Sequence, residues 1–148
     1  MLIAKKIFPS ILIGLLATII FTIVIHTAPL LGFFKIDLSR EITTRLFKDT
    51  SQFYLVGHAL HYVAGTLLAV GYHLFGRDWV AGKVKNSRFR NGMGYGTIWS
   101  IIAFIISLFF LSLIGRYKII FTTGIFTLLA AHLLYGVIIG AFLEYEEV

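Results

Sequence analysis

Four stretches of this chain carry no Asp, Glu, Lys or Arg, and they restrict its fold more than any other feature. They run from Lys6 to Lys35, Asp49 to Arg77, Arg90 to Arg116, and Lys118 to Glu144. Charged side chains are expensive at the centre of a bilayer, so their absence marks candidate spans. Each stretch exceeds the ~20 residues a helix needs to cross about 30 Å of hydrocarbon. With 58% apolar residues, 14% charged residues and a mean hydropathy of +0.89, the chain has more apolar surface than a soluble domain of its size could hide. Lipid offers no partner to an open backbone, and the two-residue alternation of barrel strands is missing, which leaves helices. The expected fold is all-α, a single integral membrane domain over residues 1–148. It forms a four-transmembrane-helix bundle with spans at about 8–32, 53–76, 94–114 and 119–142.

The first stretch follows Lys5 and Lys6, as a secretory signal would. Its apolar run from Ile7 to Phe34 is too long for a signal core of about 7 to 15 residues, so it is expected to be a retained helix. A bend is expected near Pro29, which has no N–H to give the ladder. The chain has no cysteine, which excludes disulfides, thiolate metal sites and covalent haem attachment. An even number of spans puts both termini on one side. Seven basic residues (Lys5, Lys6, Arg77, Lys83, Lys85, Arg88, Arg90) accompany them and six (Lys35, Arg40, Arg45, Lys48, Arg116, Lys118) lie opposite. The leading lysines and the basic second loop favour cytoplasmic termini and residence in the cell membrane, plasma or inner. The net charge of +6 is juxtamembrane basicity that suits anionic lipid, and no nucleic-acid partner is expected.

Between the first two spans, Leu38, Ile42 and Leu46 recur every four residues, which predicts an interfacial helix at about 37–48 capped by Asp37 or Ser39. The loop from Arg77 to Gly96 carries Gly82, Gly92, Gly94 and Gly96 and reads as irregular, its last glycines giving flexibility at the start of the third span.

An internal repeat is the most informative pattern. His61, Gly65 and Ala69 in the second span match His132, Gly136 and Gly140 in the fourth, both following His-x3-Gly-x3-small. Positions four apart share a helix face, so each histidine stands beside a strip of small residues suited to close helix packing. The chain therefore reads as two pseudo-repeated helical hairpins, related by an axis along the membrane normal. The second and fourth spans are expected to form the central contact.

From the second span onward, His58-x2-His61-x3-Gly65, the basic stretch through Arg88 and Arg90 into Gly94-Tyr95-Gly96, and His132-x2-Tyr135-Gly136-x3-Gly140 resemble the YagU-like uncharacterised inner-membrane proteins. The resemblance implies a four-helix membrane protein with paired histidine helices. It brings no activity.

All five histidines, His26, His58, His61, His73 and His132, fall in apolar segments, where an ionisable group is a functional candidate by default. Three chemistries are open. Neutral imidazoles can tie helices together through Tyr62, Tyr135, Thr66, Ser100 or Ser107, with no cofactor, which is the default expectation. Alternatively, His61 and His132 can ligate a haem b whose edge rests on Gly65, Gly136 and Gly140, with Arg45, Lys48, Arg116 and Lys118 near its propionates. Third, His26, His58, His61 and His132 can form a divalent metal site, although no carboxylate stands near them in sequence. His73, beside Tyr72, reads as an interfacial anchor.

No HExxH, GxSxG or P-loop signature is present, and every carboxylate lies outside the spans. The expectation is a non-catalytic membrane protein, either an accessory or structural subunit of a membrane complex or a homo-oligomer. The alternatives are a haem- or quinone-binding electron-transfer subunit using His61 and His132, and a small-solute or proton-linked transporter.

Overall fold

Small and hydroxylated residues make the closest helix contacts, while most of the large apolar residues point outward. The computed structural model describes residues 2–47, 53–83, 92–113 and 123–144. Its helices are α1 (Leu2–Thr27), α2 (Leu38–Phe47), α3 (Tyr54–Gly71), α4 (Arg77–Lys83), α5 (Gly92–Leu113) and α6 (Gly124–Glu144). A π turn at Tyr72–Gly76 joins α3 to α4, so the second span is continuous from Tyr54 to Lys83. Among the described residues there is no strand, and four helices are long and apolar enough to cross a membrane. The protein is an all-α four-helix bundle.

On α1 the buried positions are Ser10, Gly14, Ala17, Thr18, Phe21 and Ile25, spaced by three and four residues, while Phe8, Leu12, Leu16 and Ile23 stand outside. This is the reverse of a soluble helix's size pattern. Lipid tails are as apolar as leucine, so burying leucine against another helix gains little. Close van der Waals packing of small residues gains more.

Two such seams build the two hairpins. In the first, α1 and α3 meet where Gly14 faces Thr66 and Ala69, and Thr18 presses on Gly65. In the second, α5 and α6 meet where Gly96 lies on the Gly136 carbonyl and Gly140, Gly136 lies on Ser100, and Gly140 lies on the Gly92 carbonyl. At Gly65, Gly96, Gly136 and Gly140 a single added Cβ would overlap the neighbouring helix. Gly92 and Gly96 are thus part of a helix and of its packing face, not of an irregular loop, and at Gly96 backbone proximity is what requires the glycine. The loop's central part, residues 84–91, lies outside the described residues.

The hairpins join through α1 and α6, which places the spans in the spatial order second, first, fourth, third. The fourth span is half buried along its length against 28% of the first, 22% of the third and 17% of the second. The central pair is therefore α1 with α6, and not the second span with the fourth. The histidine helices each turn their small strip to the first or third span, and the second span is left on the outside.

Other boundaries also differ from the sequence reading. The α-helix of the first span stops at Thr27 and tightens into a 3₁₀ turn at Ala28–Leu31 around Pro29. It is closed by Gly32 at φ +82°, where the Gly32 N–H reaches the Pro29 carbonyl at 3.1 Å. The second span runs on through Arg77 and Asp78, because charges mark where hydrocarbon ends and not where a helix ends. His73 is not an interfacial anchor: it is buried and hydrogen-bonds Ser10 of α1 at 2.8 Å. Trp99 of α5 lies against Gly76 and donates its indole N–H to the Leu68 carbonyl (3.1 Å), just before the π turn.

The short helix α2 is capped by Asp37, whose Oδ1 accepts from the Arg40 N–H at 3.0 Å. It does not lie free at the headgroups. Ser39 and Thr43 are buried against Gly57, where α2 crosses the start of α3.

Glycine substitutions discriminate these seams. Gly136→Val is expected to cost about 1–3 kcal/mol through overpacking against Gly96 and Ser100. Gly82→Ala in α4, where an added Cβ meets nothing within 4 Å, is expected to be neutral or stabilising by up to about 1 kcal/mol. Denaturation of the two variants in mild detergent, followed by circular dichroism, measures the difference.

Candidate functional site

Among the described residues, the second and third spans meet mainly toward the side of the termini, through the π turn, α4 and the Trp99 contact. Toward the side of α2 they part. The space between them is a cavity of about 420 Å³. Its floor is Thr18 and Phe21 of α1 with Leu128, His132 and Tyr135 of α6. Its walls are His61, Ala64 and Gly65 of α3 and Ala103, Ile106 and Ser107 of α5, and α2 roofs it with Leu38, Glu41 and Ile42. Leu60 and Ala64 on one lip and Ile106 and Phe110 on the other are exposed, so the opening faces sideways, toward lipid.

Both repeat histidines line this one cavity. His61 is the eighth residue of α3 and His132 the ninth of α6. Both helices start on the same side, so at 1.5 Å per residue the two imidazoles sit about 11 and 12 Å in from the helix starts, at matching depth. They do not touch through a shared bond. The Phe21 ring stands beside both, its centroid 5.5 Å from that of His61 and 4.9 Å from that of His132.

Their hydrogen bonds bear on which ring nitrogen carries the hydrogen. Thr22 Oγ1 donates its one proton to the Thr18 carbonyl at 2.8 Å. Both bonds are made together when His61 Nε2, 3.1 Å from the same oxygen, is the donor, an arrangement that leaves Nδ1 as the bare nitrogen. His132 is the opposite. Its Nδ1 lies 2.8 Å from the Leu128 carbonyl, which can only accept, so Nδ1 carries the hydrogen and Nε2 is bare. His132 is 8% exposed, and Phe104 packs edge-on to its ring at 5.6 Å.

The other polar groups of the wall are engaged locally. Thr18 donates to the Gly14 carbonyl (2.7 Å), Ser107 to the Phe104 carbonyl (2.7 Å), and Tyr135 crosses to the Gly65 carbonyl (2.5 Å), tying α6 to α3. Of the hydroxyls that sequence reasoning offered to the histidines, Tyr135, Ser100 and Ser107 bond to backbone carbonyls instead.

The remaining candidate residues lie elsewhere. His26 and His58 form a separate pair near the α2 side, with centroids 6.4 Å apart, and the ring of Tyr54 stands edge-on to His58 at 4.7 Å. Among the described residues no three His, Asp or Glu side chains come together as a metal site. Gly65, Ala69, Gly136 and Gly140 line the two hairpin seams, and only Gly65 also reaches the cavity. Lys48, Arg116 and Lys118 lie outside the described residues.

Sequence reasoning missed Glu41, Thr22 and Phe21. Glu41 had a signal, since it shares the face of Leu38 and Ile42 at spacings of three and one, and that face roofs the cavity. Thr22 and Phe21 had none: their role depends on the first span being central.

The chain matches the model of a family of unknown function, DUF6789, over residues 4–147, and it belongs to that family. No curated protein and no solved structure matches it.

The tautomers are directly measurable. Nitrogen chemical shifts of ¹⁵N-histidine-labelled protein in lipid are expected to show His61 protonated at Nε2 and His132 at Nδ1. Thr22→Val is expected to release the His61 ring while leaving the His132 signals in place, at a cost of about 1 kcal/mol.

Proposed function

We propose that this integral membrane protein is a non-catalytic binding protein for a lipophilic small molecule, which reaches the cavity sideways from the bilayer between α3 and α5. The cavity carries the proposal: about 420 Å³ of almost wholly apolar space, open to lipid, with two imidazoles set in its wall. Pockets for small molecules have this character, an apolar lining with a few convergent polar groups. With the termini cytoplasmic, as the basic residues favour, the cavity lies in the outer half of the membrane.

A purely structural role, as an accessory subunit or a homo-oligomer, accounts for the apolar exterior but gives no reason for an open, histidine-lined cavity. A haem held between His61 and His132 has weaker support. The Phe21 ring stands beside both imidazoles, Gly136 and Gly140 are covered by α5, and His61 Nε2 is engaged by Thr22. Transport through the bundle has less support still, because the α1 and α6 contact fills its centre. The likeness to YagU-like proteins fits a small membrane protein of this kind and adds no ligand.

Purification in mild detergent, solvent extraction and mass spectrometry test the proposal. A lipophile enriched over the bulk membrane extract at about one equivalent is expected from the wild type. At least a tenfold loss is expected in Ala64→Phe, whose ring enters from an exposed lip and leaves the seams untouched. An extract indistinguishable from bulk lipid, or one unchanged by the variant, would refute it. The visible spectrum is expected to show no Soret band. A Soret band lost in His132→Ala would establish the haem reading in its place.

A further inference from the structure

We infer that the cavity selects a lipophile whose polar end is a hydroxyl, a hydrogen-bond donor, over one whose polar end is a carbonyl or an ether. The inference rests on the binding role proposed above and specifies its ligand. Every side-chain donor on the cavity wall is engaged within the protein. Thr18, Ser107, Tyr135 and His132 give their protons to backbone carbonyls, and His61 gives its proton to Thr22. The backbone N–H groups behind the wall are held in the helices. What remains are lone pairs. His132 Nε2 bonds no atom of the described residues, belongs to a side chain more than nine-tenths buried, and opens onto the cavity. His61 on the same wall is a second, less deeply buried imidazole, with its Nε2 engaged by Thr22.

A carbonyl-headed molecule would bring another acceptor to a wall of acceptors and lose its hydrogen bonds to water without replacement. A hydroxyl meets an imine nitrogen and satisfies both groups. An ammonium group would also donate, but the deep wall holds no charge to offset its desolvation, since Glu41 sits at the α2 end. Two sources share the favoured chemistry, a lipid alcohol and a hydroquinone.

The wild-type protein, delipidated in detergent, is titrated with 4-nonylphenol and with its methyl ether, 4-nonylanisole, which differ by one O–H. The phenol is expected to bind at least tenfold more tightly, the scale of one hydrogen bond in a dry site. That ratio is expected to fall to near one in His132→Phe and to persist in His58→Phe, whose ring lies outside the cavity. Equal wild-type affinities would overturn the inference while leaving the cavity a binding site, and binding of neither compound would overturn both. The wild-type comparison decides the matter even if His132→Phe fails to fold. Mass spectrometry of the native occupant separates the two sources: a lipid alcohol or a hydroquinone supports the inference, and an occupant without a hydroxyl refutes it.

Discussion

Backbone-to-backbone approach at the two hairpin seams is the constraint on which the rest of this structure depends. In lipid there is no hydrophobic gain in moving a leucine from tails to a neighbouring helix, so association must come from contact area and from hydrogen bonds. Glycine at 96, 136 and 140, and at 14 and 65, lets one helix rest on the backbone or on a short hydroxyl side chain of the next. The large residues are then free to face lipid. The cavity follows from the same arrangement. Each histidine helix is drawn to its own hairpin partner, α3 to α1 and α6 to α5, and no equivalent seam pulls α3 to α5 along its length. The π turn and α4, with the Trp99 indole, close one end against α5, and the other stays open.

The two seams have part of their pattern in common. The strip His61, Gly65, Ala69 packs on Gly14 and Thr18, and the strip His132, Gly136, Gly140 packs on Gly96 and Ser100. In each hairpin a glycine followed four residues later by a hydroxyl residue receives the histidine helix. One further turn along, the correspondence breaks: after Gly14 and Thr18 comes Thr22, and after Gly96 and Ser100 comes Phe104. Thr22 accepts a hydrogen bond from His61, whereas Phe104 can only offer its ring to His132. The two imidazoles match in depth and share Phe21, yet their hydrogen-bond partners differ.

Much of the fold was legible because charge in hydrocarbon is costly. The same physics made the ends less legible: Arg77 and Asp78 lie within the continuing second span, and the charge pattern there reports the limit of the apolar layer. The packing order was not legible from the histidine strips alone. His61-x3-Gly65 and His132-x3-Gly136 are faces that receive a partner, and the identity of the partner was written in Gly14-x3-Thr18 and Gly96-x3-Ser100, in spans that carry no matching histidine strip. Glu41 was hidden for a different reason. A carboxylate between basic residues reads as solvated, and only the docking of α2 on Gly57 turns its face over the cavity.

The asymmetry between Thr22 and Phe104 bears on why a histidine occupies position 132 at all. If the imidazole served only to tie helices, a partner on a neighbouring helix would be expected, as His61 has in Thr22. His132 instead bonds its own helix one turn back, at the Leu128 carbonyl, and so contributes nothing through that bond to holding α6 against α1 or α5. The bond's effect is to hold the ring's orientation and assign its proton, which is what backbone carbonyls do for histidines whose other nitrogen must accept or ligate. Phe21 and Phe104 pack against the ring. An imidazole held in this way, with its basic nitrogen toward an open apolar space, is what the proposed binding role requires of position 132.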